Sequence, residues 1–253
     1  MIFKAFDLAS SLAASAVTTP RGLLAQPVTR QPRVLIRLYD MENCPYCRIV
    51  REAITSLDID VMILPCPKGG ERYRPEVVSR GGKAQFPFMV DPNTNTELYD
   101  SVAIIEYLFK TYADRRPAPK FWLRSVNTTA AQIASGLRFG RGLRALPSRM
   151  PEKPLELYSF EGSPFARLVR ERLCELELPY TLRTLGKVKL TDFIPPPVRD
   201  RLIPEYHFEG RNRAQLYEIA GQVQVPYVID SNTDISMFES RDILAYLDRT
   251  YAC

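Results

Sequence analysis

The chain has 253 residues, 45% hydrophobic and 25% charged, enough to bury one large core or two units near 120 residues. Its 34 basic and 29 acidic residues leave a formal charge of +5 with no Lys/Arg block or aromatic–basic signature, so nothing points to nucleic acid. Five uneven cysteines argue against a disulfide-built secreted fold and for a reducing compartment, and no run approaches the roughly 18 apolar residues of a membrane span.

MIFKAFDLASSLAASAVTTP (1–20) is rich in Ala and Ser, as a transit peptide is, but Asp7 interrupts it and no Arg precedes Arg21. We read residues 1–30 as a lead-in segment with a helix over 3–18. VLIRLY (34–39) predicts a strand, followed by a helix with Ile49, Val50, Ala53, Ile54 and Leu57 on one face. VMILP (61–65) predicts a second strand, and ERYRPEVVSR (71–80) a weaker helix interrupted by Pro75. FMVD (88–91) and TELY (96–99) flank a Pro-Asn-Thr-Asn turn and predict a hairpin. A last helix carries Ile104, Ile105, Leu108 and Tyr112 on one stripe. The order β-α-β-α-β-β-α gives a small mixed sheet with helices on both faces.

The segment 120–149 sets Ile133, Leu137 and Leu143 against Arg138, Arg141 and Arg144. Such a face suits an anionic membrane. The matching segment 3–20 has little positive charge, so we expect a helix near 126–140 that packs on a folded unit.

The same pattern is then written again. At an offset of 119, Leu38, Tyr39, Glu42, Pro45, Arg48, Val50, Arg51, Glu52 and Leu57 each meet an identical residue. At 139, Pro87, Asp91, Asn93, Thr94, Ser101, Ile104, Tyr107, Leu108, Thr111, Tyr112 and Ala113 recur. RGLLAQP (21–27) matches RGLRALP (141–147), so each unit begins with its own lead-in. This is a tandem duplication. The extra residues fall in 185–210, where IPPP (194–197) predicts an irregular loop. One difference stands out: ENCPYCRIVRE (42–52) becomes EGSPFARLVRE (161–171), with both cysteines gone.

CPYC at a helix start, Phe86-Pro87 before the third strand and LYDSVAIIEYL (98–108) together resemble the glutaredoxin branch of the thioredoxin fold and the amino-terminal domain of glutathione transferases. Ser163-Pro164-Phe165-Ala166, Val225-Pro226 and FESRDILAYL (238–247) resemble the transferase domain more closely. Proteins made of two transferase-like amino-terminal domains in tandem are the nearest match. The resemblance implies an α/β fold of two tandem thioredoxin-like domains, each preceded by a helix, with no transferase-type all-helical domain. We accordingly expect a lead-in over 1–30, a glutaredoxin-like domain over 31–113, a helical connector over 114–152 and a transferase-like domain over 153–253. In transferases the all-helical domain lines the electrophile pocket, so its absence weighs against conjugation.

A helix N-terminus stabilises a thiolate, so Cys44 is the expected nucleophile. Cys47, one turn on, can attack a mixed disulfide on Cys44. A CxxC pair also suits metal, but there is no second such pair, and the only histidine, His207, lies in the insertion; no metal is expected. Arg48, four residues on, adds positive field to Cys44 on one reading; it recurs as Arg167 where no thiol exists, so a solvated or capping role is an equal alternative. Cys174 reads as a small core residue, Cys66 as an extra thiol near the second strand, and Cys253 is terminal.

By resemblance Pro87 and Pro226 are cis prolines, and Phe86 and Val225 offer backbone groups to the cysteinyl part of glutathione; the other reading is a trans proline opening an edge strand. Asp100-Ser101 and Glu239-Ser240 read as helix caps and, by resemblance, as the site for the γ-glutamyl group. Lys68, Arg72 and Arg74 are candidate partners for the glycyl carboxylate. Three functions follow. The first is a glutathione-dependent thiol–disulfide oxidoreductase acting through Cys44 and Cys47 on thiol and disulfide substrates. The second is a transferase-like enzyme in which Ser163 activates glutathione, and the third a non-catalytic glutathione-binding module. The expected location is the cytoplasm, or a plastid in a eukaryote.

Overall fold

The computed structural model describes residues 5–114, 116–120, 125–194, 196–203 and 206–253. The first unit carries β1 (Ile36–Asp40), α2 (Pro45–Leu57), β2 (Val61–Pro65), α3 (Arg74–Gly81), β3 (Phe88–Asp91), β4 (Thr96–Tyr99) and α4 (Ser101–Tyr112), after a lead-in helix α1 (Ala5–Thr18). The second carries β5 (Leu155–Ser159), α6 (Pro164–Glu175), β6 (Tyr180–Thr184), α8 (Arg211–Ala220), β7 (Tyr227–Asp230), β8 (Ile235–Phe238) and α9 (Ser240–Tyr251), after α5 (Ser125–Gly136). An extra α7 (Pro196–Leu202) lies in the insertion. Both units are thioredoxin-like, as expected from the repeat.

Alternation along the strands explains the layers. Ile36 and Leu38 of β1 enter the large core under α2 and α4, while Tyr39 faces a smaller core with Val77 of α3. Leu155 and Leu157 of β5 likewise join the large core, and Tyr158 packs with Leu216 of α8. One side of each sheet thus carries the thiol-position helix and the last helix, the other a single helix. Asp91, fully buried, accepts hydrogen bonds from Tyr107, Tyr112 and Asn93; Asp230 does the same for Tyr246, Tyr251 and Asn232. That shared acceptor explains why Asp, Asn and Tyr recur together at 139 positions' distance.

The two half-sheets are joined. β2 and β6 pair antiparallel, Met62 opposite Thr181, giving an eight-stranded sheet in the order β4-β3-β1-β2-β6-β5-β7-β8. The arrangement is a pseudo-twofold, and burying both inner edges removes two exposed strand edges at once.

The lead-in helices cross over. α1 packs on α6 of the second unit, α5 on α2 of the first, and the two helices pack on each other. Their Ala/Ser content is the reason the contacts are close: Ser11, Ala14 and Thr18 of α1, and Ala131 and Ala134 of α5, are buried at helical spacing. The basic connector therefore packs on a folded unit, as expected. No described helix is long and apolar enough to cross a membrane.

Two expectations need correction. Pro75 does not interrupt a helix; it lies in the first turn of α3, where a missing N–H costs nothing. The IPPP stretch is not wholly irregular, because a 3₁₀ turn (Leu190–Phe193) precedes it and Pro196 opens α7. Pro195 lies outside the described residues.

Candidate active site

β1 ends at Asp40, and a tight turn in which Cys44 N donates to Met41 O (2.9 Å) delivers Cys44 to the N-cap of α2. Pro45 follows as the first helical residue, with its fixed φ suited to that place. Cys44 keeps 8% of its surface exposed and Cys47 none, so of the two sulfurs Cys44 is the one nearer solvent. The Cys47 thiol donates to the Cys44 sulfur. That bond outweighs the opposing effect of burial and, aided by the backbone N–H groups of Cys47 and Tyr46 and by Arg51, lowers the Cys44 pKa to about 7. Burial, followed by its bond to Cys44, pushes the Cys47 thiol well above its ordinary value. The site holds one sulfur ready as thiolate beside one kept protonated.

Register brings the other expected residues to the same sheet end. Tyr39 opposes Phe88, and Phe88 opposes Tyr99. Pro87 and Asp100 therefore follow at the end where the Cys44 loop begins. The Phe86–Pro87 bond is cis, as is Val225–Pro226. Asp100 caps α4, accepting from the N–H groups of Val102 (2.9 Å) and Ala103 (3.2 Å), with Ser101 buried behind it.

In the second unit the same register sets Tyr158 opposite Tyr227 and Tyr227 opposite Phe238, so Ser163, Pro226 and Glu239 share an end. Glu239 makes no cap bond with its own helix; it accepts from Gln224 Nε2 at 2.6 Å, while Ser240 is buried. Asp100 and Glu239 hold φ of +71° and +67°, the same uncommon backbone in both units. Ser163 Oγ accepts from Ala166 N (3.2 Å) and is only 2% exposed. α1 sits over it, with Ser11 Oγ donating to Pro164 O at 2.7 Å. Asn43 and Ser135 make the corresponding contact between the first site and α5 (3.3 Å). Because β2 and β6 are antiparallel, the two sites leave the common sheet at opposite ends.

Several side chains behave otherwise than expected. Arg48 and Arg167 are not solvated: both are buried, Arg48 3.8 Å from Glu161 and Arg167 donating to Ser11 O (2.9 Å). Arg72 is spent on the carbonyls of Leu176 (3.0 Å) and Glu177 (3.2 Å), across the unit boundary. Arg74 donates to Cys66 O (2.9 Å) and Pro67 O (3.2 Å) and lies over the Phe86 ring. Lys68 stays exposed. Cys66 is fully buried and burial pushes its thiol far up, so it is no reactive extra thiol. Cys174, by contrast, is the core residue expected, and its sulfur also accepts from Glu42 N at 3.4 Å. Among the described residues no group of three His, Cys, Asp or Glu side chains is placed to hold a metal ion.

Sequence reasoning did not find the charged cluster between the units. Arg51 and Arg170, both fully buried, join Glu42, Glu161 and Asp40. The available signal was that Glu42, Arg48, Arg51 and Glu52 recur in a unit that has Ser163 and Ala166 where the first has its two active-site cysteines.

A family model described as "Glutathione S-transferase, N-terminal domain" matches residues 38–116 and again 157–252. No curated protein matches. Among solved structures the chain is similar to "Leishmania TDR1 - a unique trimeric glutathione transferase", with 13% identity and a TM-score of 0.26 over 86% of this chain and 69% of that one.

Proposed function

The chain belongs to the glutathione S-transferase N-terminal-domain family, and from that premise we propose that it is a glutathione-dependent thiol–disulfide oxidoreductase working through Cys44 and Cys47. On this reading residues 31–113 form the redox domain and 153–253 its companion without the dithiol motif. Phe86, Pro87, Asp100 and Ser101 form the glutathione site beside the thiols, with Val225, Pro226, Glu239 and Ser240 in the matching places. The observation that carries the reading is the Cys44–Cys47 pair: a partly exposed sulfur with a pKa near 7 takes a hydrogen bond from a buried, protonated one.

The Cys44 thiolate attacks the glutathionyl sulfur of a mixed disulfide, forming a Cys44–glutathione disulfide and releasing the substrate thiolate, which takes up a proton. Cys47 then loses its proton and attacks Cys44, giving the Cys44–Cys47 disulfide and free glutathione. Alternatively, a second glutathione resolves the intermediate as glutathione disulfide. The transferase reading is weaker because Ser163 is used as a helix cap and lies beneath α1.

The test is glutathione-coupled reduction of a small mixed disulfide. Cys44→Ser abolishes it, and Cys47→Ser accumulates a glutathione adduct on Cys44 visible by mass spectrometry. Full activity in Cys44→Ser sinks the reading.

A further inference from the structure

We propose that Glu161, in the unit without the CPYC pair, is a positioning residue for the Cys44 and Cys47 thiols of the other unit. The inference rests on the dithiol reading and concerns how the Cys44 turn is held. Arg51 is the clamp. Its Nη1 donates to the Asp40 carboxylate, and its Nη2 donates to Glu42 O (3.1 Å), so it grips the turn that delivers Cys44 on both sides. Its Nη2 also lies 3.1 Å from Glu42 Oε2, and its Nε donates to Glu161 Oε2 at 2.9 Å. Glu161 thus fixes the free edge of a guanidinium whose other edge holds the thiol loop.

The arrangement is reciprocal. Arg170 Nη2 donates to Glu161 O (3.1 Å), its Nη1 to Ser159 Oγ (3.0 Å), and its Nε reaches Glu42 Oε1 (3.2 Å). Each clamp arginine is therefore held by the glutamate of the opposite loop. This gives a physical reason for the second unit to keep EGSPFARLVRE without cysteines. Its loop presents Glu161 to Arg51, a task that needs the turn and the helix but no sulfur. Fully buried, Arg51 requires all its donors met, because an orphaned buried charge is costly.

The charged groups around Cys44 are few enough to make the effect readable. Arg51 and Cys47 stand on α2, Asp40 on β1, and Glu42 in the turn. Glu161, Arg48 and Arg170 lie at the unit boundary. α5, packed on α2, carries no ionisable side chain, and Glu106 and Lys110 of α4 are exposed.

The experiment measures alkylation of Cys44 against pH in the full chain, read on the Cys44 peptide by mass spectrometry. Glu161→Ala and Glu161→Asp each raise the inflection by about half a pH unit or more, roughly a threefold loss of rate at pH 6.5. Glu161→Asp keeps the charge and withdraws only the oxygen, so it carries the test if the alanine variant does not fold. Arg51→Lys raises the inflection as well, and adding Glu161→Asp to it brings no further shift, because both act through one clamp. Glu171→Gln breaks a buried pair with Arg138 elsewhere and leaves the inflection in place. An unchanged inflection in folded Glu161→Asp, or additive shifts in the double variant, overturns the inference. A native chain that forms no glutathione adduct on Cys44 overturns the oxidoreductase reading instead.

Discussion

Gly22 lies against Glu161: a β-carbon at residue 22 would stand 2.9 Å from Glu161 Cβ and 3.0 Å from the amide nitrogen of Gly162. The carbonyl of Gly22 accepts from that same amide (2.8 Å). Gly142 repeats the contact, with Glu42 Cβ at 3.0 Å from its would-be β-carbon. The twice-written Arg-Gly-Leu is thus the point where each crossing lead-in meets the other unit's site loop. Both glycines hold positive φ, +66° and +69°. Gly22→Ala should therefore cost about 2–3 kcal/mol, backbone strain plus the clash. Gly140→Ala, with φ +81° and its nearest neighbour 3.8 Å away, should cost only about 1 kcal/mol. Urea unfolding of the two variants checks the difference; equal losses would mean the close approach to Glu161 carries no energy.

Buried carboxyls set a pH dependence whose sign is unusual. Burial raises Asp40 to about 6 and both Glu52 and Asp58 to about 7. Unfolded, these groups titrate near 4. Between about pH 4 and 7 the folded chain thus binds more protons than the unfolded one, and stability falls as pH rises through that window. Glu161 works the other way: Arg170, Arg51 and Arg48 outweigh burial and hold it at about 2, so its contribution is lost as pH drops from about 4 towards 2. The urea midpoint should be higher at pH 5 than at pH 7.5. Glu52→Gln should shrink that gap, since among the described residues neither Glu52 oxygen has a hydrogen-bond partner and Arg21, its salt-bridge partner, stands 3.4 Å away.

The largest influence on Cys44 is the hydrogen bond from Cys47, ahead of burial and of the helix N–H groups. Cys47→Ala should therefore raise the inflection of Cys44 alkylation from about 7 towards its ordinary value. Cys47→Ser should raise it less, because the hydroxyl still donates. Rates of iodoacetamide labelling across pH 5–10 distinguish the two. Identical inflections in both variants would shift the credit to the helix end and Arg51.

Much of this was legible in the residues. The repeat fixed two equivalent units, Asn93 and Asn232 marked the hairpins, and CPYC marked the helix start. Other features were hidden for a common physical reason: their partners come from the other unit. A solvated or capping role for Arg48 followed from its recurrence as Arg167 where no thiol exists; arginine is rarely buried, and here Glu161 and the Ser11 carbonyl arrive from across the boundary to make burial tolerable. Arg72 likewise looked free for a carboxylate, yet two carbonyls at the end of α6 claim it. The Ala/Ser-rich lead-in read as a helix, but two near-identical docking faces are available in the sequence, and it does not say which one α1 takes.

That crossing yields the last prediction. If each lead-in served its own unit, a chain beginning at residue 19 would loosen the first unit. In the observed packing α1 lies on α6 and α5, and its Ser11 bonds both Pro164 and Arg167 of the second unit. Removing α1 strips one face of α6, exposes Ser163, and takes from the Arg167 guanidinium its bond to Ser11 O, the one acceptor it has among the described residues. Native-state hydrogen exchange should therefore fall in protection at 166–172 of α6 well before 49–55 of α2, which keeps α5 above it. The Cys44 alkylation profile should change little. Greater loss of protection in α2 than in α6 would contradict the crossed arrangement.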